Sequence, residues 1–243
     1  MRSWNADCFC SCATRLQGRL PFARTVTTFR GQIDWWVRMS SRAHWDAVYN
    51  TRAPDKVSWF EPHLKISLDL IERAAPGHLA SVIDVGGGES TLVDDLLERG
   101  YRNVTVLNIS DTALEATRKR LGPDRGRQVR WLLADITHTG VLPDFYDVWH
   151  DRAVFHFLTE RSDRVAYIQN VIAAVKPGGH VIVSTFGPEG PIRCSGLSVM
   201  RFDAGSLHRE FGAPFRLIES CKQLHTTPFG TTQQFLYCYC RVE

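Results

Sequence analysis

The sequence has no hydrophobic run long enough to cross a membrane. Its most apolar stretches are short and are interrupted by glycine and proline, whereas a membrane-spanning helix needs roughly 20 consecutive apolar residues. Charge of one sign is also scarce, because the 243 residues carry a formal net charge of only +3. An excess this small and this dispersed does not indicate nucleic-acid binding. We therefore expect neither a membrane nor a nucleic acid as a partner.

Cysteine is too irregular in number and position to indicate a disulfide framework. The chain has seven cysteines, at Cys8, Cys10, Cys12, Cys194, Cys221, Cys238 and Cys240. Small secreted domains held by disulfides usually have an even number at regular spacing. The first three cysteines have no second ligand pair at a suitable spacing, so no metal site is predicted. Reduced thiols are the default, and they favour a cytoplasmic location.

The first 38 residues differ from the rest of the sequence. They contain six arginines and only two acidic residues, Asp7 and Asp34, and they show no sustained helical or strand period. Such starts are typical of organelle transit peptides, but a disordered leader or a start codon placed too far upstream also fits. We favour the latter explanations, because Met39 leads directly into patterned sequence. The prediction is a poorly structured or misassigned leader over 1–38 and a single domain over 39–243.

From residue 42 onward, segments with helical and strand patterns alternate. The predicted helices cover 62–74, 90–99, 112–121 and 162–175. The predicted strands cover 79–85, 104–109, 129–134, a run from 146, 180–185, 215–221 and 234–241. Strands that alternate with helices indicate a parallel sheet with helices on both faces. We predict an α/β fold with a doubly wound, mostly parallel seven-stranded sheet and a C-terminal antiparallel hairpin.

The first predicted strand ends in a glycine-rich turn. This turn is Asp84-Val85-Gly86-Gly87-Gly88-Glu89-Ser90. Glycines let the backbone approach a ligand closely, and ligands of doubly wound sheets bind at the carboxyl ends of the strands. The dinucleotide fingerprint needs a third glycine where this chain has Thr91. The pattern Asp84-x-Gly86-x-Gly88 instead resembles motif I of the class I S-adenosylmethionine-dependent methyltransferases.

The resemblance to this family continues in order over residues 44–185. Asn108 and Ile109 follow the second strand, where the family holds the ribose hydroxyls with an acid and packs an apolar side chain on the adenine. Asp135 matches the family's acid that binds the adenine amino group, and Ile136 supplies an amide. Lys176-Pro177-Gly178-Gly179 resembles the family's stop before the fifth strand. The resemblance implies S-adenosylmethionine as cofactor, bound by Asp84, Gly86, Gly87, Gly88, Asn108, Ile109, Asp135 and Ile136.

Two positions depart from the family pattern. Ser90 stands where the family usually has another glycine, and Asn108 stands where it has the ribose-binding acid. An amide can still bind a hydroxyl, but charge-assisted hydrogen bonds are roughly twice as strong. Either cofactor affinity is reduced, or a neighbour such as Asp111 compensates.

The segment after the fourth strand supplies the catalytic candidates His150, Asp151, Arg152 and His156. Asp151-Arg152 resembles a segment of thiopurine S-methyltransferase relatives and of some protein-lysine methyltransferases, although the glycine that follows in both is missing here. His150 or His156 could act as a general base, because imidazole titrates near neutrality. A buried structural histidine is the alternative for either one.

Aromatic residues are concentrated upstream, over residues 44–62, with Trp45 and Tyr49 as candidate cofactor contacts. This segment resembles the one that closes over the methionine end of the cofactor in many small-molecule methyltransferases, and aromatic faces attract a cationic sulfonium. A helix docked by its aromatic stripe is the alternative. Downstream, residues 225–234 form a polar stretch that suits a polar acceptor or an ordinary hairpin connection.

Three functions remain open. The leading hypothesis is a methyltransferase that acts on a small-molecule acceptor, with a thiol or another soft nucleophile as the candidate group. The second is a protein-lysine methyltransferase, and the third is a cofactor-binding protein of the same fold with weak or lost catalysis. A closed segment over 44–62 would favour the first hypothesis, and an open acidic groove would favour the second. The sequence predicts no oligomeric state.

Overall fold

Helices and strands alternate along the chain, and the computed structural model describes them for residues 41–243. The strands are β1 Ser81–Val85, β2 Asn103–Asn108, β3 Val129–Leu133, β4 Tyr146–Arg152, β5 Val175–Phe186, β6 Arg193–Cys194, β7 Leu197–Ser198, β8 Phe215–Thr226 and β9 Thr232–Val242. The helices are α1 over 41–51, α2 Lys65–Ala74, α3 Leu92–Glu98, α4 Asp111–Gly126, α5 Arg161–Ala174 and α6 Ala204–Phe211. Short 3-10 helices cover Pro54–Lys56 and Phe155–Phe157. The prediction for residues 1–38 lies outside the described residues.

Seven of these strands form one sheet in the order β3-β2-β1-β4-β5-β9-β8. The pairs β3–β2, β2–β1, β1–β4 and β4–β5 are parallel. β9 runs antiparallel between β5 and β8. The predicted fold class, a doubly wound, mostly parallel seven-stranded sheet with a C-terminal antiparallel hairpin, is confirmed.

Both faces of the sheet are covered near its centre, as β1 shows. All five residues of β1 are buried. On one face, Val82 packs in a cluster with Leu68 of α2 and Leu92 of α3. On the other face, Ile83 belongs to a cluster that contains Tyr167 of α5 and Leu207 of α6. Burial on both faces explains why β1 is mostly apolar, with Val82, Ile83 and Val85.

Helix α5 ends at Ala174, where the Lys176–Gly179 segment was predicted to stop it. The chain enters β5 at once, five residues before the predicted strand. Gly178 adopts a φ of 79°, a conformation that favours glycine. A Cβ at Gly179 would lie 2.7 Å from the Val175 side chain. These contacts agree with a structural role for the segment.

Two elements have no counterpart in the predicted pattern. Helix α6 begins with a capping box in which the Asp203 carboxylate accepts from the Ser206 amide at 2.8 Å. The usual box carries Glu or Gln at that third position, so Ser206 gives a weak signal. The hairpin β6–β7 turns through Ser195 and Gly196, which both have positive φ.

The carboxyl ends of β1, β2 and β4 meet at one edge of the sheet, and α1 reaches this edge. The Ser110 hydroxyl, which follows β2, donates to the Asp46 carboxylate of α1. Asn50 of α1 donates to the hydroxyl of Thr112 at 3.4 Å. Ligands of parallel sheets bind at this edge. We call residues 41–62 the lid.

None of the described helices is long and apolar enough to span a bilayer.

Candidate active site

The glycine turn after β1 brings the backbone against β2 and against the turn that follows β4. The Gly86 amide donates to the carbonyl of Leu107 at 2.7 Å. Gly86 has a φ of 74°, and a Cβ there would lie 2.1 Å from the Val154 side chain. Gly88 has a φ of 40°, and a Cβ there would lie 2.8 Å from the Asn108 amide nitrogen. Glycine is therefore required at both positions by conformation and by space.

Asp84 and His150 form a buried pair beneath this turn. The two side chains are within 2.8 Å, and His150 Nε2 lies 2.9 Å from the hydroxyl of Ser67 on α2. Both ring nitrogens of His150 are therefore engaged, and the residue is only 1% exposed. The second oxygen of Asp84, Oδ2, is buried without a partner among the described residues. His150 holds one oxygen of Asp84 and leaves the other available.

At the end of β2, the Asn108 side chain is turned toward the backbone. Its carbonyl oxygen accepts from the Ser110 amide at 2.8 Å. Ile109 is partly buried, and Asp111, the predicted source of compensating charge, is exposed at the start of α4. The carboxylate that meets the Ser110 hydroxyl belongs instead to Asp46 of the lid.

Asp135 and Ile136 lie after β3, beside the end of β2. The Ala134 amide donates to the carbonyl of Asn108 at 3.0 Å, which joins the two loops. One oxygen of Asp135 accepts from the amide and the hydroxyl of Thr137. Ile136 is buried at 4% exposure. The four predicted adenosine contacts, at 108, 109, 135 and 136, therefore share one edge of the sheet.

Trp45 and Tyr49 of the lid pack in an aromatic cluster with Trp59 and Phe157. The ring centroids of Trp45 and Phe157 are 5.0 Å apart, and those of Tyr49 and Trp59 are 6.5 Å apart. At these separations the rings pack against one another. The Tyr49 hydroxyl lies 3.2 Å from the Cβ position of Gly88. Burial raises the pKa of Tyr49, so its hydroxyl stays protonated beside the glycine turn.

Asp151 is completely buried and holds the turn that follows β4. It accepts from the Tyr167 hydroxyl at 2.6 Å and from the amides of Val154 and Phe155 at 2.8 and 3.0 Å. Ala153 within this turn has a φ of 75°. Burial raises the pKa of Asp151 to about 6, although its hydrogen bonds act in the opposite direction. Through these contacts Asp151 fixes the position of the turn that follows β4.

Arg152 ties the lid to the sheet. Its guanidinium donates to the carbonyl of Trp59 at 2.9 Å and to the Glu61 carboxylate at 3.2 Å. It also donates to the Tyr237 hydroxyl at 3.1 Å and stacks over Phe235 at 4.4 Å. The Arg152 side chain is only 5% exposed. Each of its three guanidinium nitrogens thus makes a hydrogen bond to the lid or to β9.

His156 is buried between aromatic rings. Its Nδ1 accepts from the Phe186 amide at 3.2 Å, and its Nε2 is buried without a partner among the described residues. Burial, with a smaller contribution from Arg152, lowers the pKa of His156 to about 3. So weak a base is poorly matched to proton transfer near neutral pH.

The structure adds three polar residues, Glu61, Gln223 and His225, that the sequence analysis did not name as site residues. Gln223 donates to both oxygens of Glu61 at 3.0 and 3.2 Å. His225 Nε2 lies 2.9 Å from the carbonyl of Ser58. For His225 the sequence signal was the polar character of residues 225–234. The pairing of Gln223 with Glu61 gave no signal, because the two residues are 162 positions apart.

The described residues contain no group of three or more side chains arranged to hold a metal ion.

Comparison with known proteins finds similarity to one kind of domain. A family model described as a methyltransferase domain matches residues 82–179, the segment that contains the glycine turn, the adenosine edge and the β5 start. Over this segment the chain is similar to a methyltransferase domain, and its fold is shared by S-adenosylmethionine-dependent methyltransferases. This methyltransferase family uses S-adenosylmethionine as its cofactor.

One curated relative of this chain is the eEF1A lysine and N-terminal methyltransferase of Danio rerio. It is 24% identical over 172 residues, which cover 68% of this chain. The match spans only 24% of that relative's own length.

Two solved structures share the methyltransferase fold at low sequence identity. One, described as the conversion of a disulfide bond into a thioacetal group during echinomycin biosynthesis, has a TM-score of 0.67 and 18% identity, covering 84% of this chain and 92% of that one. The other is the 1,6-didemethyltoxoflavin-N1-methyltransferase of Burkholderia thailandensis. It has a TM-score of 0.61 and 18% identity, covering 92% of this chain and 93% of that one.

The residues at the glycine turn fit this cofactor. The buried oxygens Asp84 Oδ2 and Glu89 Oε2 have no partner among the described residues. Burial raises the pKa of Glu89. Unpaired acceptors beside a backbone cradle suit a ligand that brings hydrogen-bond donors, and S-adenosylmethionine carries an amino group and ribose hydroxyls.

Proposed function

We propose that the chain transfers the methyl group of S-adenosylmethionine to a small-molecule acceptor that binds beneath the lid. The observation that carries this proposal is the closed lid. Arg152 of β4, Gln223 of β8 and His225 of β8 all bind residues 58–61 directly. A lid held from two strands supports an enclosed acceptor rather than an extended peptide.

The cofactor, when bound, supplies an electrophilic methyl group on a sulfonium. We assign the glycine turn, with Asp84 and the amides of 86–88, to its methionine end. We assign Asn108, Ile109, Asp135 and Ile136 to its adenosine end. Class I methyltransferases need little covalent machinery, so the main task of these residues is to align the two reactants.

We further propose that Asp46 supplies the negative charge that Asn108 lacks. Asn108 spends its carbonyl oxygen on the Ser110 amide, while the Ser110 hydroxyl holds the Asp46 carboxylate at the same edge. Asp111 is exposed at the start of α4. In this arrangement the charge at the ribose position comes from α1, so cofactor binding and lid docking support each other.

The catalytic candidates receive different roles. We assign His150 to orienting Asp84, Asp151 to shaping the turn after β4, and Arg152 to anchoring the lid. The low pKa of His156 supports a structural role for that residue. Alignment under a closed lid, without a dedicated base among these four residues, suits a nucleophile that is reactive in its own right. A thiol or another soft nucleophile, which the resemblance of Asp151-Arg152 suggests, meets that condition.

A protein acceptor is the second candidate. It is supported by the Danio rerio relative, whose name is that of a lysine and N-terminal methyltransferase. The neighbour from Burkholderia thailandensis, crystallised with 1,6-didemethyltoxoflavin, supports a small molecule instead.

We also propose a cytoplasmic location and a single domain over 39–243. The described cysteines are free, and Cys194, Cys238 and Cys240 are buried. Free buried thiols suit a reducing compartment.

The test combines binding with transfer. Calorimetric titration with S-adenosylmethionine should show binding that is lost in Gly86→Trp, because the new side chain fills the cradle. Gly140→Ala is the matched control, since a Cβ there meets no atom within 4 Å.

Transfer is then measured with radiolabelled cofactor over thiols, carboxylic acids, amines and protein extracts, with products separated by ultrafiltration. We expect the label in the small-molecule fraction. Label confined to protein would replace the acceptor assignment, and cofactor binding without transfer to any acceptor would indicate a non-catalytic protein.

A further inference from the structure

Three hydrogen-bond acceptors converge on one face of the β8–β9 hairpin. Gln223 and His225 alternate along β8 and therefore share a face, and the register pairs them with Phe235 and Gln233 of β9. Directly opposite residues of an antiparallel pair have Cβ atoms about 5 Å apart. We call Gln223, His225, Gln233 and Phe235 the hairpin subsite.

The partners of Gln223 and His225 fix the way in which both side chains point. Gln223 gives its NH2 group to the Glu61 carboxylate, which can only accept, so its carbonyl oxygen faces away from Glu61. That oxygen is buried and has no partner among the described residues. His225 Nε2 must carry hydrogen to bond the Ser58 carbonyl, so a neutral His225 presents a lone pair at Nδ1.

Gln233 adds a third acceptor atom to the subsite. Gln233 is 8% exposed, and its Oε1 is buried without a partner among the described residues. His225 Nδ1 lies 3.9 Å from Glu61 Oε2, which is beyond hydrogen-bonding distance. One N–H group between those two atoms could reach both. The charges of Glu61 and Arg152 offset each other, and burial, together with Arg152, lowers the pKa of His225 and keeps it neutral.

Buried acceptors without donors are costly, and this cluster holds several of them within one small region. The Phe235 ring, 5.9 Å from the His225 ring, provides an apolar floor. We infer that the hairpin subsite binds a planar nitrogen group of the methyl acceptor that carries N–H donors, such as an amide or an amidine. This inference rests on the proposed function, and it concerns the anchoring group of the acceptor rather than the atom that is methylated.

The test uses three probes of similar shape on the full chain saturated with S-adenosylhomocysteine. Benzamide carries a neutral NH2 group, benzamidine carries a charged one, and acetophenone replaces the NH2 group with a methyl group. Fragments of this size bind in the millimolar range, which ligand-observed NMR measures. We expect benzamide and benzamidine to bind about tenfold more tightly than acetophenone, because only they satisfy the buried acceptors.

Gln233→Met is the decisive variant, since the Gln233 side chain makes no hydrogen bond to the described residues that would be lost. It should weaken the binding of benzamide by about five- to tenfold and leave the affinity for acetophenone unchanged. Gln233→Glu should increase the affinity for benzamidine relative to the affinity for benzamide. Lys222→Met, at the exposed position directly before Gln223 on β8, is the matched control and should change none of the affinities.

Equal affinity for benzamide and acetophenone, or an unchanged benzamide affinity in Gln233→Met, would overturn the inference. Failure of all three probes to bind would do the same and would assign the acceptors to water. Calorimetric binding of S-adenosylhomocysteine is recorded for every variant. Retained cofactor binding separates failure of the subsite from failure of the proposed methyltransferase function.

Discussion

Residue 108 is the position at which we propose that a function has moved to another element. Asparagine replaces an acid at the end of β2, and its side chain turns to the Ser110 amide. The Asp46 carboxylate arrives from α1 and accepts from the Ser110 hydroxyl. The charge is thus placed at the same edge of the sheet, but its position depends on the lid.

Asp46→Asn should weaken the binding of S-adenosylhomocysteine by about 10- to 100-fold, since a hydrogen bond to a charged group contributes about 1.5–3 kcal/mol. Adding Asn108→Asp to this variant should restore most of the affinity, because the charge returns to β2. Isothermal titration calorimetry measures both effects. Asp111→Asn is the control and should bind as the wild type does. A loss in Asp111→Asn equal to that in Asp46→Asn would remove the special role of Asp46.

The same residues show what the sequence could predict at this scale. Asp84, Gly86 and Gly88 were identifiable because a turn of fixed geometry demands fixed residue types at fixed spacing. The role of Asp46 was not identifiable, because it depends on a contact across 64 positions of the sequence. The burial of His150 and His156 was equally hidden, since a histidine has the same sequence signature as a base and as a core residue.

At the scale of elements, the order of strands and helices was predictable from periodicity, and their ends were less so. The central strand β1 is marked by an apolar run and a terminal acid. Helix α6 was missed because its cap uses Ser206, and the start of β5 was predicted five residues too late because proline and glycine lie near its beginning. The tether between the lid and β8 could not be predicted, because it is a tertiary contact.

Glu61→Gln should loosen the lid. Arg152 would then keep a buried positive charge opposite a neutral amide, and removal of one partner of a buried ion pair typically costs about 3–5 kcal/mol. Glu61 is itself 19% exposed, so we expect the low end of that range. Hydrogen–deuterium exchange of a peptide that contains the Phe60 amide, now bonded to the Val57 carbonyl, should become at least about tenfold faster.

The control for the lid prediction is Glu72→Gln, which breaks the pair of Glu72 with Arg99 on the surface. Exposed pairs contribute little, so exchange in the lid should stay at the wild-type rate. If Glu61→Gln leaves lid exchange unchanged, the Arg152 tether does not hold the lid closed.

At the scale of the whole molecule, the buried side chains of Asp151 and His156 make the stability depend on pH in opposite directions. The pKa of Asp151 is about 6 in the fold, above its ordinary value, so its contribution to stability falls as pH rises toward 6. The pKa of His156 is about 3 in the fold, below its ordinary value. The unfolded chain therefore binds more protons at His156 between about pH 3 and 6.5, and the stability that this residue contributes is lost as pH falls through that range.

His156→Asn isolates the histidine contribution, because asparagine keeps an acceptor for the Phe186 amide but does not titrate. Between pH 7 and pH 5, the wild type should lose about 2 kcal/mol more unfolding free energy than the variant, the linkage value for about 1.5 pKa units below an unfolded pKa of roughly 6.5. Urea denaturation at both pH values measures the difference. The titration of Asp151 occurs in both proteins and cancels, as does any constant cost of the substitution. Parallel pH profiles would mean that His156 accepts a proton in the folded chain as readily as in the unfolded one, and that the aromatic surroundings of this residue do not exclude charge.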